Sequence, residues 1–325
     1  MKVFVTGAAG FIGSHLTDAL LAAGHHVVGI DDLSTGNLSN LEGASANSGF
    51  RFVAVDVRDA KAVEDAMLDC DAVVHLAARI GLQAVVHSPL ETMEINVHGT
   101  QSVLEVASRR GTAVIVASTS EVYGHNSKIP SEETDSISFG SPTVGRWSYA
   151  CSKAYDEFYA LALHRERGLP VCVVRLFNTV GTRQTGRYGM VVPRFVAQAL
   201  GGAPLSVYGD GRQSRCFCSV TDVVGGLVTM LHRMDTISGE VFNLGNPREI
   251  CILDLAKRVI ELTGSSSEID FVPFTAAYPA GFEEIMRRVP DITKARSVLD
   301  FHPEIDLDAI LRSVIASAGK RALTV

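Results

Sequence analysis

Two short segments, far apart in this 325-residue chain, carry side chains suited to a single chemistry. The first is Gly7-Ala8-Ala9-Gly10-Phe11-Ile12-Gly13, directly after the apolar run Val3-Phe4-Val5. The second is Tyr149-Ala150-Cys151-Ser152-Lys153. The glycine segment suits a dinucleotide lying at the start of a helix. The tyrosine and lysine suit a phenol tuned to exchange a proton beside it. Together they point to hydride transfer on a hydroxyl-bearing substrate.

A helix N-terminus carries partial positive charge and free N–H groups, which suits a pyrophosphate. Gly7 permits a tight turn, Gly10 lets backbone approach phosphate, and Gly13 lets the helix pack closely on its strand; Phe11 and Ile12 lie within the same turn. A second apolar run ends in Asp31-Asp32, near the spacing expected of an acid that binds ribose hydroxyls. A 2′-phosphate there would meet like charge, so NAD is expected rather than NADP. Asp56-Val57, after the third run, are placed to edge the adenine. Leu76-Ala77-Ala78, after the fourth, either let backbone approach the cofactor or simply pack helix on sheet.

Tyr149 and Lys153 are four residues apart and share one helix face. A free phenol ionises near pH 10, too high for a base at neutral pH. A neighbouring ammonium and a positive nicotinamide would favour phenolate and make Tyr149 an acid/base. A third element, Ser118-Thr119-Ser120-Glu121, follows the fifth apolar run, and strand C-termini are where ligands bind in such sheets. Thr119 is the hydroxyl expected to reach the reacting oxygen. Ser118 and Ser120 shape the turn or the site. Glu121 is either a catalytic acid/base or an exposed turn residue.

The elements that must position these groups can be read from periodicity. Strands are predicted at Lys2–Thr6, His26–Ile30, Arg51–Val55, Ala72–Leu76, Ala113–Ala117 and Val171–Leu176. Most are apolar on both faces, as a parallel sheet covered by helices requires. Helices are predicted between them, at Phe11–Ala23, Ala60–Leu68, Ser88–Arg109 and Ser148–Arg167, the first and third ended by Gly24 and Gly111. After Leu176 the pattern loosens: helices at Val192–Leu200, Asp222–His232, Ile252–Thr263 and Asp306–Ser317, with short strands at Ser206–Tyr208, Arg215–Ser219 and Val241–Leu244. Gly43–Gly49 reads as a flexible loop. This divides the chain into a dinucleotide-binding part over residues 1–178 and a smaller, irregular substrate lobe over 179–325, with segments near 215–245 returning to the sheet.

Composition excludes several classes. A net charge of −7 leaves no basic footprint for nucleic acid. No apolar stretch approaches the roughly 18 residues a membrane helix needs, and no secretion segment precedes the first strand. The six cysteines are scattered and lack metal-site spacing, so no metal is expected and all six are read as reduced, in the cytoplasm.

With these segments assembled, the chain resembles the extended short-chain dehydrogenase/reductase family, in its nucleotide-sugar epimerase, dehydratase and decarboxylase branch. The resemblance rests on the two segments above and on Asp31-Asp32-Leu33-Ser34-Thr35-Gly36, His75-Leu76-Ala77-Ala78 and Ser118 to Gly124. Later come Arg175-Leu176-Phe177-Asn178, Val207-Tyr208-Gly209, Arg215-Cys216-Phe217 and Arg288-Val289-Pro290-Asp291. It implies a Rossmann-type doubly wound parallel sheet with a smaller C-terminal α/β lobe. It implies that Ser34, Thr35, Gly36, Asn96 and Ser118 join the cofactor site. It implies that Asn178, Val192, Tyr208, Arg215 and Arg288 bind a UDP-sugar, the two arginines neutralising its diphosphate and Tyr208 lying near the uracil. It also implies a homodimer through Ser88–Arg109 and Ser148–Arg167.

The implied first step is oxidation of the sugar C4 hydroxyl, with Tyr149 taking the proton and NAD the hydride. Thr119-Ser120-Glu121 lacks the aspartate of dehydratases. It matches UDP-glucuronate decarboxylases, whereas the segments around Tyr149 and Thr182 to Gly189 look more like 4-epimerases. The expectation is therefore a UDP-sugar 4-epimerase acting on UDP-glucuronate, with Arg187 as a candidate carboxylate partner. UDP-glucuronate decarboxylase and UDP-glucose 4-epimerase are the alternatives.

Overall fold

The structure, a computed structural model, describes residues 1–81, 85, 87–186, 189–278 and 283–322. Its first part alternates strands and helices: β1 (Lys2–Thr6), α1 (Phe11–Ala22), β2 (His26–Asp31), β3 (Phe50–Ala54), α2 (Ala60–Ala66) and β4 (Ala72–His75). There follow α3 (Pro89–Arg110), β5 (Ala113–Thr119), α4 (Trp147–Arg167) and β6 (Val171–Leu176). The second part contains β7 (Thr179–Val180), α5 (Val191–Leu200), β8 (Leu205–Tyr208), β9 (Ser214–Cys216), β10 (Cys218–Ser219) and α6 (Val220–His232). It ends with β11 (Val241–Leu244), β12 (Glu249–Cys251), α7 (Ile252–Thr263), β13 (Ile269–Val272), α8 (Thr293–Leu299) and α9 (Leu307–Ala322).

Seven strands form one parallel sheet in the order β11-β6-β5-β4-β1-β2-β3. Strand alternation sorts the apolar residues. Val3 and Val5 of β1 face a layer containing Leu16 and Leu20 of α1 and Val223 and Leu227 of α6. Phe4, between them, faces Val103 and Leu104 of α3 and Leu163 of α4. Both faces are covered, which accounts for the continuous apolar runs. The strand order reverses between β1 and β4, and a crevice opens there at the strand C-termini. The lobe has its own core, with Phe195, Leu205, Val207, Leu255 and Leu311 all fully buried.

Two sequence expectations are corrected. Arg215–Ser219 is not one strand: the chain changes partner at Phe217, so β9 pairs antiparallel with β12 and β10 pairs parallel with β7. Within Gly43–Gly49, the stretch expected to be flexible, a helical turn over Glu42–Ser45 buries Ala44. The strands β12 and β13 and the helix α8 were not legible, being only three, four and seven residues long.

Candidate active site

The crevice is a cavity of about 440 Å³ that runs from the β1–α1 turn to the lobe. At one end, Gly7 takes φ +69°, the left-handed region that disfavours side chains, and its carbonyl accepts the Gly10 N–H at 3.0 Å. A Cβ on Gly13 would overlap the Gly7 carbonyl oxygen and lie 2.8 Å from its carbon. Helix α1 begins with no side-chain cap and no acid in its first turn, so its N–H groups face the crevice uncompensated. At the end of β2, Asp31 accepts N–H groups from Ala9 at 3.0 Å and Leu33 at 2.8 Å. Burial raises its pKa, and those backbone bonds pull the other way. Asp32 accepts both the N–H and the hydroxyl of Ser34.

The crevice floor is held from behind. Thr6 Oγ1 accepts the N–H groups of Leu76 and Ala77 at 3.1 and 3.0 Å, fixing the turn after β4. Buried Asn96 accepts the Arg79 N–H at 2.8 Å and donates to Ser152 Oγ at 3.2 Å, tying that turn to α4.

Tyr149 and Lys153 project from α4 into the middle of the cavity, beside Thr119. Burial raises the Tyr149 pKa and the Glu121 carboxylate adds to this, while the Thr119 hydroxyl and Arg288 oppose it. Lys153 Nζ lies 2.8 Å from Asp156 Oδ2, both side chains almost fully buried. The lysine's charge is thus matched within its own helix rather than committed to the phenol. Ser118 donates to Glu157 Oε1 at 2.5 Å, and Glu157 is gripped by buried Arg175 through Nε at 3.0 Å and Nη2 at 2.7 Å. The hydroxyl of Ser118 is therefore engaged away from the reacting position.

Three guanidiniums and two carboxylates converge where Tyr149 faces the lobe. Glu121 Oε1 lies 2.5 Å from Arg288 Nη1, and Glu121 Oε2 lies 3.4 Å from Arg146 Nη2. Glu284 Oε1 lies 2.6 Å from Arg215 Nη2 and 3.4 Å from Arg146 Nη1. Burial pushes the Glu121 pKa up, but Arg288, Arg146 and Arg215 outweigh it and hold the group at about 2. Glu121 is thus a fixed anion, not an exposed turn residue. Burial, then Arg288, lowers Arg215 to about 10. Further along, Arg194 stacks 4.1 Å over the Tyr208 ring, which meets Tyr278 edge-on. Arg194 Nε and Arg288 Nε are buried with no hydrogen-bond partner among the described residues.

The cavity wall contains nearly every residue that the sequence nominated: the three glycines with Phe11 and Ile12, Asp31, Asp32, Ser34, Thr35, Asp56, Val57 and Leu76 to Ala78. It also contains Ser118 to Glu121, Tyr149, Lys153, Asn178, Val192, Tyr208, Arg215 and Arg288. Two nominated residues stand behind it. Asn96 supports the β4 turn, and Gly36 packs on the Asp31 carboxylate, where a Cβ would come within 2.6 Å of Oδ1. Arg187 lies outside the described residues. Sequence reasoning missed Arg146, Arg194 and Glu284. Nothing in their spacing marks them, because only the fold brings these three segments to one place.

Residues 3–245 match the model of a family described as NAD dependent epimerase/dehydratase. The chain belongs to that family. Among curated relatives, UDP-N-acetyl-alpha-D-glucosaminuronate decarboxylase of Bacillus cytotoxicus is 38% identical over 97% of this chain and 96% of its own length. UDP-glucuronic acid decarboxylase 1 of Arabidopsis thaliana is 38% identical over 99% of this chain and 71% of its own length. Among solved structures, UDP-glucuronic acid 4-epimerase from Bacillus cereus, in complex with UDP-glucuronic acid and NAD, superposes with TM-score 0.89 at 30% identity. That match covers 99% of this chain and 100% of the other.

The residues present fit the family's cofactor. The uncapped α1 N-terminus, the positive-φ Gly7 and the close packing of Gly13 on the Gly7 carbonyl, which admits no Cβ, shape a turn that presents free backbone N–H groups to a pyrophosphate. Among the described residues, no helix is long and apolar enough to cross a membrane, and no cluster could hold a metal ion.

Proposed function

We propose that this chain converts a UDP-uronate by transient oxidation at C4, with decarboxylation as the outcome. The carrying observation is the cluster of Arg146, Arg215 and Arg288 against Glu121 and Glu284 beside Tyr149. It leaves one excess positive charge in a buried wall, and the Nε–H groups of Arg194 and Arg288 have no acceptor among the described residues. A diphosphate joined to a carboxylated sugar supplies both the charge and the oxygens.

Bound NAD would supply the hydride acceptor at C4 and later the donor. Gly7, Gly10 and Gly13 with the α1 N–H groups would hold its pyrophosphate, and Asp31 the adenosine ribose. Tyr149 accepts the C4 hydroxyl proton, and Thr119 orients that oxygen. With a ketone at C4, the C6 carboxylate is β to it. The C5–C6 bond can then break, with its electrons moving into the carbonyl and carbon dioxide leaving. C5 takes a proton from solvent water, and, as hydride returns to C4, Tyr149 gives the first proton back to the C4 oxygen. Glu121, held as an anion, acts by charge and by locking Arg288 and Arg146 rather than by donating a proton. Arg215 and Arg288 face the diphosphate, and Tyr208 with Arg194 forms the base end.

The decarboxylase relatives, at 36–38% identity, support this outcome over the 4-epimerisation that the sequence placed first. Thr119-Ser120-Glu121 agrees with them. Epimerisation stays as a second reading, because the epimerase structure overlays almost the whole chain. The test is to incubate the protein with UDP-glucuronate and with UDP-N-acetylglucosaminuronate and resolve the products by NMR. A UDP-pentose with released carbon dioxide is expected. UDP-galacturonate would establish the epimerase, and no conversion of either uronate would overturn the substrate class.

Leu90 (70% exposed) and Met93 on α3, with Tyr155 and Phe158 (65% exposed) on α4, form an apolar outer face. We place a second copy of the chain there; sedimentation of Phe158→Glu as a monomer would support this.

A further inference from the structure

The geometry points to Asp156 as a positioning residue that fixes Lys153 and offsets its charge at Tyr149, beside a buried row in which Thr6, His75 and Thr100 are joined by hydrogen bonds. None of these four residues is needed to hold the substrate, and all four are buried.

The direction of the chain follows from counting lone pairs. Thr6 Oγ1 already accepts the Leu76 and Ala77 N–H groups, so its own hydrogen is left for His75 Nδ1 at 2.8 Å. His75 is therefore an acceptor at Nδ1. Burial, reinforced by the nearby Lys153 charge, lowers its pKa to about 3, so the ring is neutral and carries its hydrogen on Nε2. That hydrogen goes to Thr100 Oγ1 at 3.0 Å. Thr100 is left with its own hydrogen, and the Asp156 carboxylate lies nearby. Asp156 Oδ2 holds Lys153 at 2.8 Å, whereas Oδ1 makes no hydrogen bond among the described residues. Burial raises the Asp156 pKa, and Lys153 and then Thr100 counter it.

The charged groups around this pair are accounted for. On α4, Lys153 and Glu157 flank Asp156, and Glu157 is neutralised by Arg175 of β6. From β4 comes neutral His75, and from α3 the uncharged Thr100. Tyr149 faces Glu121 and Arg288 from the substrate side, and Asp156 from its own helix. An acid three residues after the lysine works against phenolate formation. The pair of opposite charges keeps the lysine in place while shielding the phenol from its full field.

The test has one arm that needs no substrate. In protein loaded with NAD, Tyr149 is titrated by ultraviolet difference against Tyr149→Phe. Asp156→Asn is expected to lower the pH at which the phenol ionises by roughly one unit, the scale of a single charge nearby in a partly buried site. An unmoved or raised midpoint overturns the proposal. Asp156→Ser, which removes the same charge with a smaller side chain, should move it the same way, and keeps the test open should Asp156→Asn not fold. In the unmodified protein, ¹⁵N NMR should show His75 protonated on Nε2 alone at neutral pH; a proton on Nδ1 refutes the chain. The kinetic arm rests on the C4-oxidation reading: the acidic limb of the kcat/KM profile should follow the phenol. Failure of that reading would abolish turnover but leave the titration and the NMR informative.

Discussion

Replacing Glu121 by Gln keeps the shape of the side chain and removes the charge between Arg288 and Arg146. A carboxyl held at about 2 instead of 4.5 gains about 3 kcal/mol for its charged form. The side chain is only 18% exposed, so solvent screens little of this. Breaking a buried pair from one side typically costs about 3–5 kcal/mol, because the partner's charge is left uncompensated. Glu121→Gln should therefore lower stability by about 3 kcal/mol, a drop in Tm of about 4 °C for a chain of this size. The sign against pH follows from a depressed acid. The contribution is complete above pH 4.5 and is lost as the pH falls through about 2. Thermal unfolding of both proteins from pH 8 to pH 3.5 should show a constant gap down to pH 5 that narrows below. Equal Tm values at neutral pH, or a gap that does not narrow in acid, would refute the arginine clamp.

Other expectations concern the cofactor cradle and the floor beneath it. Gly13→Ala must push α1 off the Gly7 carbonyl; NAD affinity measured by calorimetry should fall at least about 100-fold, as expected when backbone donors lose their geometry. His75 is buried neutral with its pKa lowered to about 3, so its stabilisation is complete above pH 6.5 and declines as the pH falls from 6.5 toward 3. At pH 5 this costs about 2 kcal/mol, which urea unfolding at pH 7.5 and pH 5 should detect. His75→Gln should flatten that difference. Glu157→Gln leaves Arg175 buried without its carboxylate and should destabilise by about 3 kcal/mol or more, read by the same urea titration.

The sheet was legible because its strands are apolar on both faces and its first turn must be glycine. The six predicted strands of the first part lie within two residues of those observed. The lobe was less legible: β9 and β10 look continuous in sequence, and only their different partners separate them. In the site, Tyr149, Lys153 and the glycines stood out because their spacing is local. Arg146 and Glu284 are charges without pattern, drawn together across the fold. Asp156 reads as one of several ordinary helix acids, and only the fold buries it. Asn96 and Gly36 were found by the sequence but stand one layer back, where no spacing rule distinguishes a wall from its support.

UDP-glucuronate carrying deuterium at C4 tests the proposed C4 hydride cycle most directly. If the C4 hydrogen is removed and returned within one active site, the product keeps the label at C4, solvent contributes none there, and Tyr149→Phe binds UDP but turns over at least about 1,000-fold more slowly. Label lost to water, or full activity without the phenol, would contradict it.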